Sequence, residues 1–96
     1  MPTYDRTRRF DRDYKSLTPE QRAAFRSAVA KFVKDLPSGH FGRGLRVKGI
    51  QGADGVFEMT LAGDGRATFQ YGPEIEVGEA HVVWRRVGTH QILTGP

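Results

Sequence analysis

Val82-Val83-Trp84-Arg85-Arg86-Val87-Gly88-Thr89-His90 begins as a run of β-branched and aromatic residues, turns cationic, and passes a glycine to end on an imidazole. Such a run reads as a strand. Because side chains alternate along a strand, Val82, Trp84 and Arg86 fall on one face and Val83, Arg85 and Val87 on the other. Each face therefore carries one arginine. If Trp84, Arg86 and His90 share the polar face, the indole is free to stack on a nucleobase and Arg85 extends past the core edge. The other reading of Trp84 is ordinary packing, and a bulge at Gly88 would change the parity. An apolar strand that brings two guanidiniums and a histidine to one edge of a sheet is one way to hold a phosphodiester.

Working back from this stretch, three more strands are expected. Leu45 to Ile50 sets Leu45 and Val47 against Arg46 and Lys48. Val56 to Leu61 sets Phe57, Met59 and Leu61 against Glu58 and Thr60. Arg66 to Tyr71 sets Ala67, Phe69 and Tyr71 against Arg66, Thr68 and Gln70. Gly52-Ala53-Asp54-Gly55 and Gly63-Asp64-Gly65 have the chemistry of hairpin loops. A longer loop, Gly72 to Ala80, carries Glu74, Glu76 and Glu79.

The N-terminal part reads as helical after a short strand near Thr3 to Arg8. Phe10, Tyr14 and Leu17 are spaced to share one side of a short helix that runs to about Ser16. Thr18-Pro19-Glu20-Gln21 is a helix start, with Thr18 as cap, Pro19 at the first helical position and Gln21 completing a capping box. Phe25, Val29, Phe32, Val33 and Leu36 then form the apolar stripe of a long helix that Pro37, Ser38 and Gly39 end. The glycine-rich stretch to Gly44 has the wrong order for a phosphate loop, which needs a strand before it and a helix after it. The expected domain is α+β: a helical pair on one face of a small antiparallel sheet of about four strands.

Composition sets limits on function. Ninety-six residues with 38% apolar and 27% charged side chains suit one small domain spanning residues 1–96. No run approaches the length needed to span a bilayer and no signal-peptide core is present, so a cytoplasmic protein is expected. With no cysteine, neither disulfides nor thiolate metal sites are available. The net charge of +4 is unevenly spread. Residues 1–48 hold 12 Lys/Arg against 5 Asp/Glu, whereas residues 49–96 hold 3 against 6. Eleven of the cations are arginine, the better fork for phosphate oxygens. Nucleic acid or an acidic protein is the expected partner.

With the apolar set facing the long helix, the other sheet face displays Arg46, Lys48, Glu58, Thr60, Arg66, Thr68 and Gln70. A helix-free face is polar in any case, but three cations beside a strand that ends in His90 exceed what solubility requires. His40 and His81 read as bystanders, and three histidines without a paired short spacing make a poor zinc site.

The order of elements, with F-x-x-D-Y-K-x-L, L-R-V-K, F-E-M-T, R-A-T-F-Q-Y and the ending R-x-G-T-H, resembles the RelE/ParE toxin superfamily, most nearly its YafQ branch. The resemblance spans nearly the whole chain in pattern, and its specific part is the Arg86–His90 ending with the R-x-x-x-x-Y of the preceding strand. It implies a ribosome-dependent messenger-RNA endoribonuclease acting in the A site, neutralised by a cognate antitoxin, with no cofactor. It implies that His90 is the C-terminal catalytic histidine, Arg66 the arginine opening the penultimate strand and Asp64 the loop aspartate, and it matches Arg46 and Lys48 loosely to basic residues before the hairpin. Thr60 departs from the pattern, standing where YafQ-like proteins carry a second histidine. A ParE-like toxin that binds gyrase without cutting RNA, or an inactive binding relative, has the same fold.

The chemistry asked of these residues is modest. The 2′-OH of RNA can attack its own phosphorus, leaving a 2′,3′-cyclic phosphate and a 5′-OH. His90 is the expected acid or base, with Asp64 or Glu58 as its complement. Arg66 and Arg86 would stabilise the phosphorane. Arg46, Lys48, Arg85 and Trp84 would hold the neighbouring RNA.

Overall fold

The computed structural model describes residues 1–96. Strand β1 (Thr3–Arg6) leads into helix α1 (Arg8–Ser16) and helix α2 (Pro19–Asp35). A 3₁₀ turn (Arg43–Leu45) precedes β2 (Lys48–Ile50), β3 (Ala53–Thr60), β4 (Gly65–Gly72) and β5 (His81–Thr89), and a last 3₁₀ turn spans His90–Thr94. The sheet order is β1-β5-β4-β3-β2. The class is α+β as expected, with both helices packed on the sheet. The sheet has five strands rather than about four, because β1 adds itself parallel to the outer edge of β5 while every other pairing is antiparallel.

Local chemistry explains where the elements begin. Thr7 ends β1 and starts α1 at once. Its amide donates to the Trp84 carbonyl at 3.0 Å, while its hydroxyl donates to the Arg85 carbonyl at 2.8 Å and accepts from the Phe10 amide at 3.0 Å. At α2 the capping box is complete: Thr18 Oγ1 accepts from the Gln21 amide at 3.2 Å, and Gln21 Oε1 accepts from the Thr18 amide at 2.8 Å. Each such pair satisfies helix donors that would otherwise lack a partner.

One core joins the layers. Phe10 of α1 and Phe25, Ala28 and Phe32 of α2 pack on Met59, Ala67, Phe69, Val82, Trp84 and Val87 of the sheet. Val29 and Val33, expected inside, are only half-buried at its border. The strand expected from Leu45 begins instead at Lys48. Leu45 is buried at the end of the 3₁₀ turn, and Arg46 follows with φ +47°, a left-handed conformation that redirects the chain before β2.

The register of β5 decides between the two readings of Trp84, for packing and against the RNA contact. Thr68 pairs with Arg86, but Phe69 pairs with Trp84, so Arg85 is an extra residue opposite no partner. This bulge sits at Arg85 and not at Gly88. It places Val82, Trp84 and Val87 together on the helix face. Trp84 is 5% exposed, with ring centroids 5.3, 5.4 and 5.5 Å from Phe25, Phe32 and Phe69. It packs the core and has no face free for a base.

Candidate active site

The pairing of Gly65 with Thr89 brings the β3–β4 turn against the end of β5. Gly63, with φ +66°, supplies the left-handed residue that lets this turn reverse and present Asp64. On the other side, Gly88 allows the last 3₁₀ turn to fold back: a Cβ there would meet Ile92 Cγ2 at 3.0 Å. That turn opens with His90. His90 Nδ1 and Asp64 Oδ2 are 2.7 Å apart, with both side chains about three-fifths exposed. An ionised carboxylate only accepts, so the proton of this bond is on Nδ1 and Nε2 is the nitrogen left for chemistry. The geometry unites the histidine and the aspartate that the sequence suggested. A hollow of about 100 Å³ lies beside them, lined by Asp64, Gly65, Gly88 and Thr89 with Leu17 and Gln21.

Arg66 follows directly in β4, opposite Gly88, on the sheet face turned away from the helices. Its Nη1 donates to the Gly65 carbonyl at 2.8 Å. Glu58, on β3, lies between two cations: its Oε1 is 3.9 Å from Arg66 Nε and 3.9 Å from Lys48 Nζ. Glu58 is nearly buried while Lys48 is largely exposed. Pinned between these charges, Glu58 positions Arg66 and Lys48. It is poorly placed to carry a proton for a substrate, so the expectation of Glu58 as complement to His90 gives way to Asp64. Arg46 is exposed and pairs with no carboxylate.

The two arginines of β5 are employed elsewhere. Arg86 Nε and Nη2 each meet a carboxylate oxygen of Asp13 at 2.9 Å, and the Val87 amide donates to the same carboxylate at 3.2 Å. Asp13 thus ties α1 to β5 beyond the point where β1 ends. Hydrogen bonding to Asp13 raises the Arg86 pKa above the ordinary guanidinium range. Its fork is occupied, which removes it from the expected role at the phosphorane. Arg85 Nε donates to the Pro96 carbonyl at 3.0 Å, and its Nη1 donates to Gln70 Oε1. Arg85 therefore fastens the C-terminal segment and is not a free RNA contact.

His81 is also no bystander. It is buried, with Nδ1 2.7 Å from Thr3 Oγ1 and Nε2 3.2 Å from Asp5 Oδ2, and it joins β1 to β5. Thr68, between Glu58 and Arg86 in the register, is fully buried and its hydroxyl has no hydrogen-bond partner. Removing an unsatisfied buried hydroxyl gains its desolvation cost. Thr68→Val is expected to raise stability by about 1 kcal/mol, read as a midpoint shift in urea at unchanged slope. A lower midpoint would mean that the hydroxyl is satisfied in solution.

Neither a family model nor a curated protein matches this sequence. Solved structures do match in fold. The YafQ of the Escherichia coli DinJ–YafQ toxin–antitoxin complex superposes with a TM-score of 0.68 at 14% identity, over 98% of each chain. The RelB–RelE antitoxin–toxin complex from Methanococcus jannaschii gives 0.62 at 14%, over 94% of each chain. A metal-bound toxin from Helicobacter pylori gives 0.62 at 19%, over 95% of this chain and 97% of that one. At these identities the likeness is one of fold, and the fold is that of the RelE and YafQ toxins.

Proposed function

We propose that this chain is the toxin of a type II toxin–antitoxin pair, a messenger-RNA endoribonuclease that works in the ribosomal A site in the cytoplasm. The observation that carries this reading is the Asp64-held imidazole of His90, its Nε2 unengaged, at the same corner of the sheet as Arg66. RNA supplies its own nucleophile, so the protein needs only to move protons and stabilise charge. The 2′-oxygen bonds to phosphorus, the 5′-oxygen leaves, and one proton passes from the first oxygen to the second overall. His90 Nε2 is the group that accepts or delivers that proton, and Asp64 stabilises the imidazolium form. Arg66 neutralises the charge gained by the non-bridging oxygens, held in place by Glu58 and the Gly65 carbonyl. Lys48 and Arg46 bind flanking phosphates, so affinity falls with salt. A cognate antitoxin with an acidic segment that folds on binding would cover this cationic face.

The test is primer extension on a message translated in a cell-free system containing the chain. Cuts confined to translated frames are expected, and Arg66→Ala should slow them by roughly 10²-fold while leaving the protein folded. Loss of DNA supercoiling with intact messages would instead favour the gyrase-binding alternative.

A further inference from the structure

The hollow beside Asp64 continues along the molecule. Its wall residues Ala24, Leu61 and Ala62 also line a second hollow, of about 220 Å³, between α2 and the end of β3. That one shares Lys31, Gly44 and Leu45 with a third, of about 230 Å³, which reaches Lys34. The three form one furrow that runs from the His90–Asp64 corner to Lys34. Gln21, Ala24, Ala28 and Lys31 follow one another at helical spacing, so a single face of α2 sets its course. Ala24, Ser27 and Ala28 on that face, with Gly44 across from them, are too small to fill it. From Gln21 to Lys34 the helix rises about 20 Å.

Charge is graded along this furrow. At its near end the carboxylate of Asp64 is engaged with His90. At its far end Lys31 and Lys34 are exposed, a turn of helix apart, and neither pairs with a carboxylate. Arg43 and Arg46, also exposed, bracket Gly44 and Leu45 on the facing 3₁₀ turn. Asp35 is the carboxylate that lines this end, and it accepts from the Gly42 amide at 2.9 Å. Such a cluster suits a polyanion, and a track that begins at the reacting phosphorus suits the same strand. We infer that the furrow holds the RNA on the 3′ side of the cut, with Lys31 and Lys34 gripping phosphates several nucleotides downstream. This rests on the nuclease reading above. At about 3.4 Å per stacked nucleotide, and more when extended, the furrow has the length for several nucleotides. No aromatic side chain lines it, so it grips the backbone and does not read bases. On the ribosome the upstream nucleotides are paired to tRNA, which leaves the downstream strand free to enter.

The test compares, on stalled ribosomes, messages that stop directly after the A-site codon with messages that run on by several nucleotides. The parent should cut the longer messages with a kcat/KM about tenfold higher, as charge-assisted phosphate contacts allow. Lys31→Ala combined with Lys34→Ala should remove that preference and cut the short messages at the parent's rate. On long messages it should also flatten the log–log salt dependence by about 1.4. Ser27→Trp, at an exposed position midway along the furrow, obstructs the path without changing charge and should remove the preference too. Circular dichroism checks that both variants are folded. Equal slowing on short and long messages would mean that the lysines hold the ribosome's own RNA, which overturns the inference. A preference that survives both variants, or a parent without one, overturns it as well. A parent that cuts neither kind of message defeats the nuclease reading itself.

Discussion

His90→Ala is expected to abolish messenger-RNA cleavage, with a loss of about 10²–10⁴-fold, while the melting temperature stays within a degree or two of the parent. The expectation follows from position. The side chain is 60% exposed and its one recorded side-chain bond is to Asp64, which is equally open, so removing it deletes chemistry and little packing. Asp64→Asn is the companion variant. Its amide oxygen still accepts from Nδ1 but no longer stabilises a positive ring, so an intermediate loss of roughly tenfold is expected. Single-turnover cleavage of a ribosome-bound message, with circular dichroism as the check on folding, measures both. Equal activity in all three proteins would remove His90 from the mechanism.

The largest effect on stability is expected at Asp13→Ala. Arg86 and Asp13 are both under one-fifth exposed, and the pair is bidentate. Truncating the acid leaves a partly buried guanidinium without its counter-charge and the Val87 amide without its acceptor. Breaking such a pair costs on the order of 3 kcal/mol. For a chain of this size that lowers the melting temperature by roughly 15 °C. Arg86→Met with Asp13→Leu should recover much of the loss, since an apolar pair of similar volume avoids the desolvation cost. Thermal melts of the single and double variants decide it. A melting temperature unchanged by Asp13→Ala would show that the pair does not hold α1 to β5.

Much of this architecture was legible from local pattern. The capping box at Thr18, the helical stripe from Phe25 and the alternation from Val56 to Tyr71 each follow from residues within one turn or one hairpin. His90 and Asp64 were legible through the resemblance. What the sequence hid was long-range. Asp13 finds Arg86 across 73 positions, and His81 finds Thr3 across 78. No local spacing marks either pair. The bulge at Arg85 has no glycine to announce it, and its one-residue shift brings Val87 onto the core face beside Val82 and Trp84 and leaves Arg86 opposite Thr68. β1 was hard to weigh for the same reason: four mostly polar residues become a sheet edge only when β5 is already there to pair with.

The ends left on cut RNA test the central claim most directly. A message translated in the presence of the chain should be severed within A-site codons, leaving a 2′,3′-cyclic phosphate upstream and a 5′-OH downstream, and His90→Ala should yield no such ends. Fragments bearing 5′-phosphates, or identical fragments from His90→Ala, would contradict attack by the 2′-OH assisted by this imidazole.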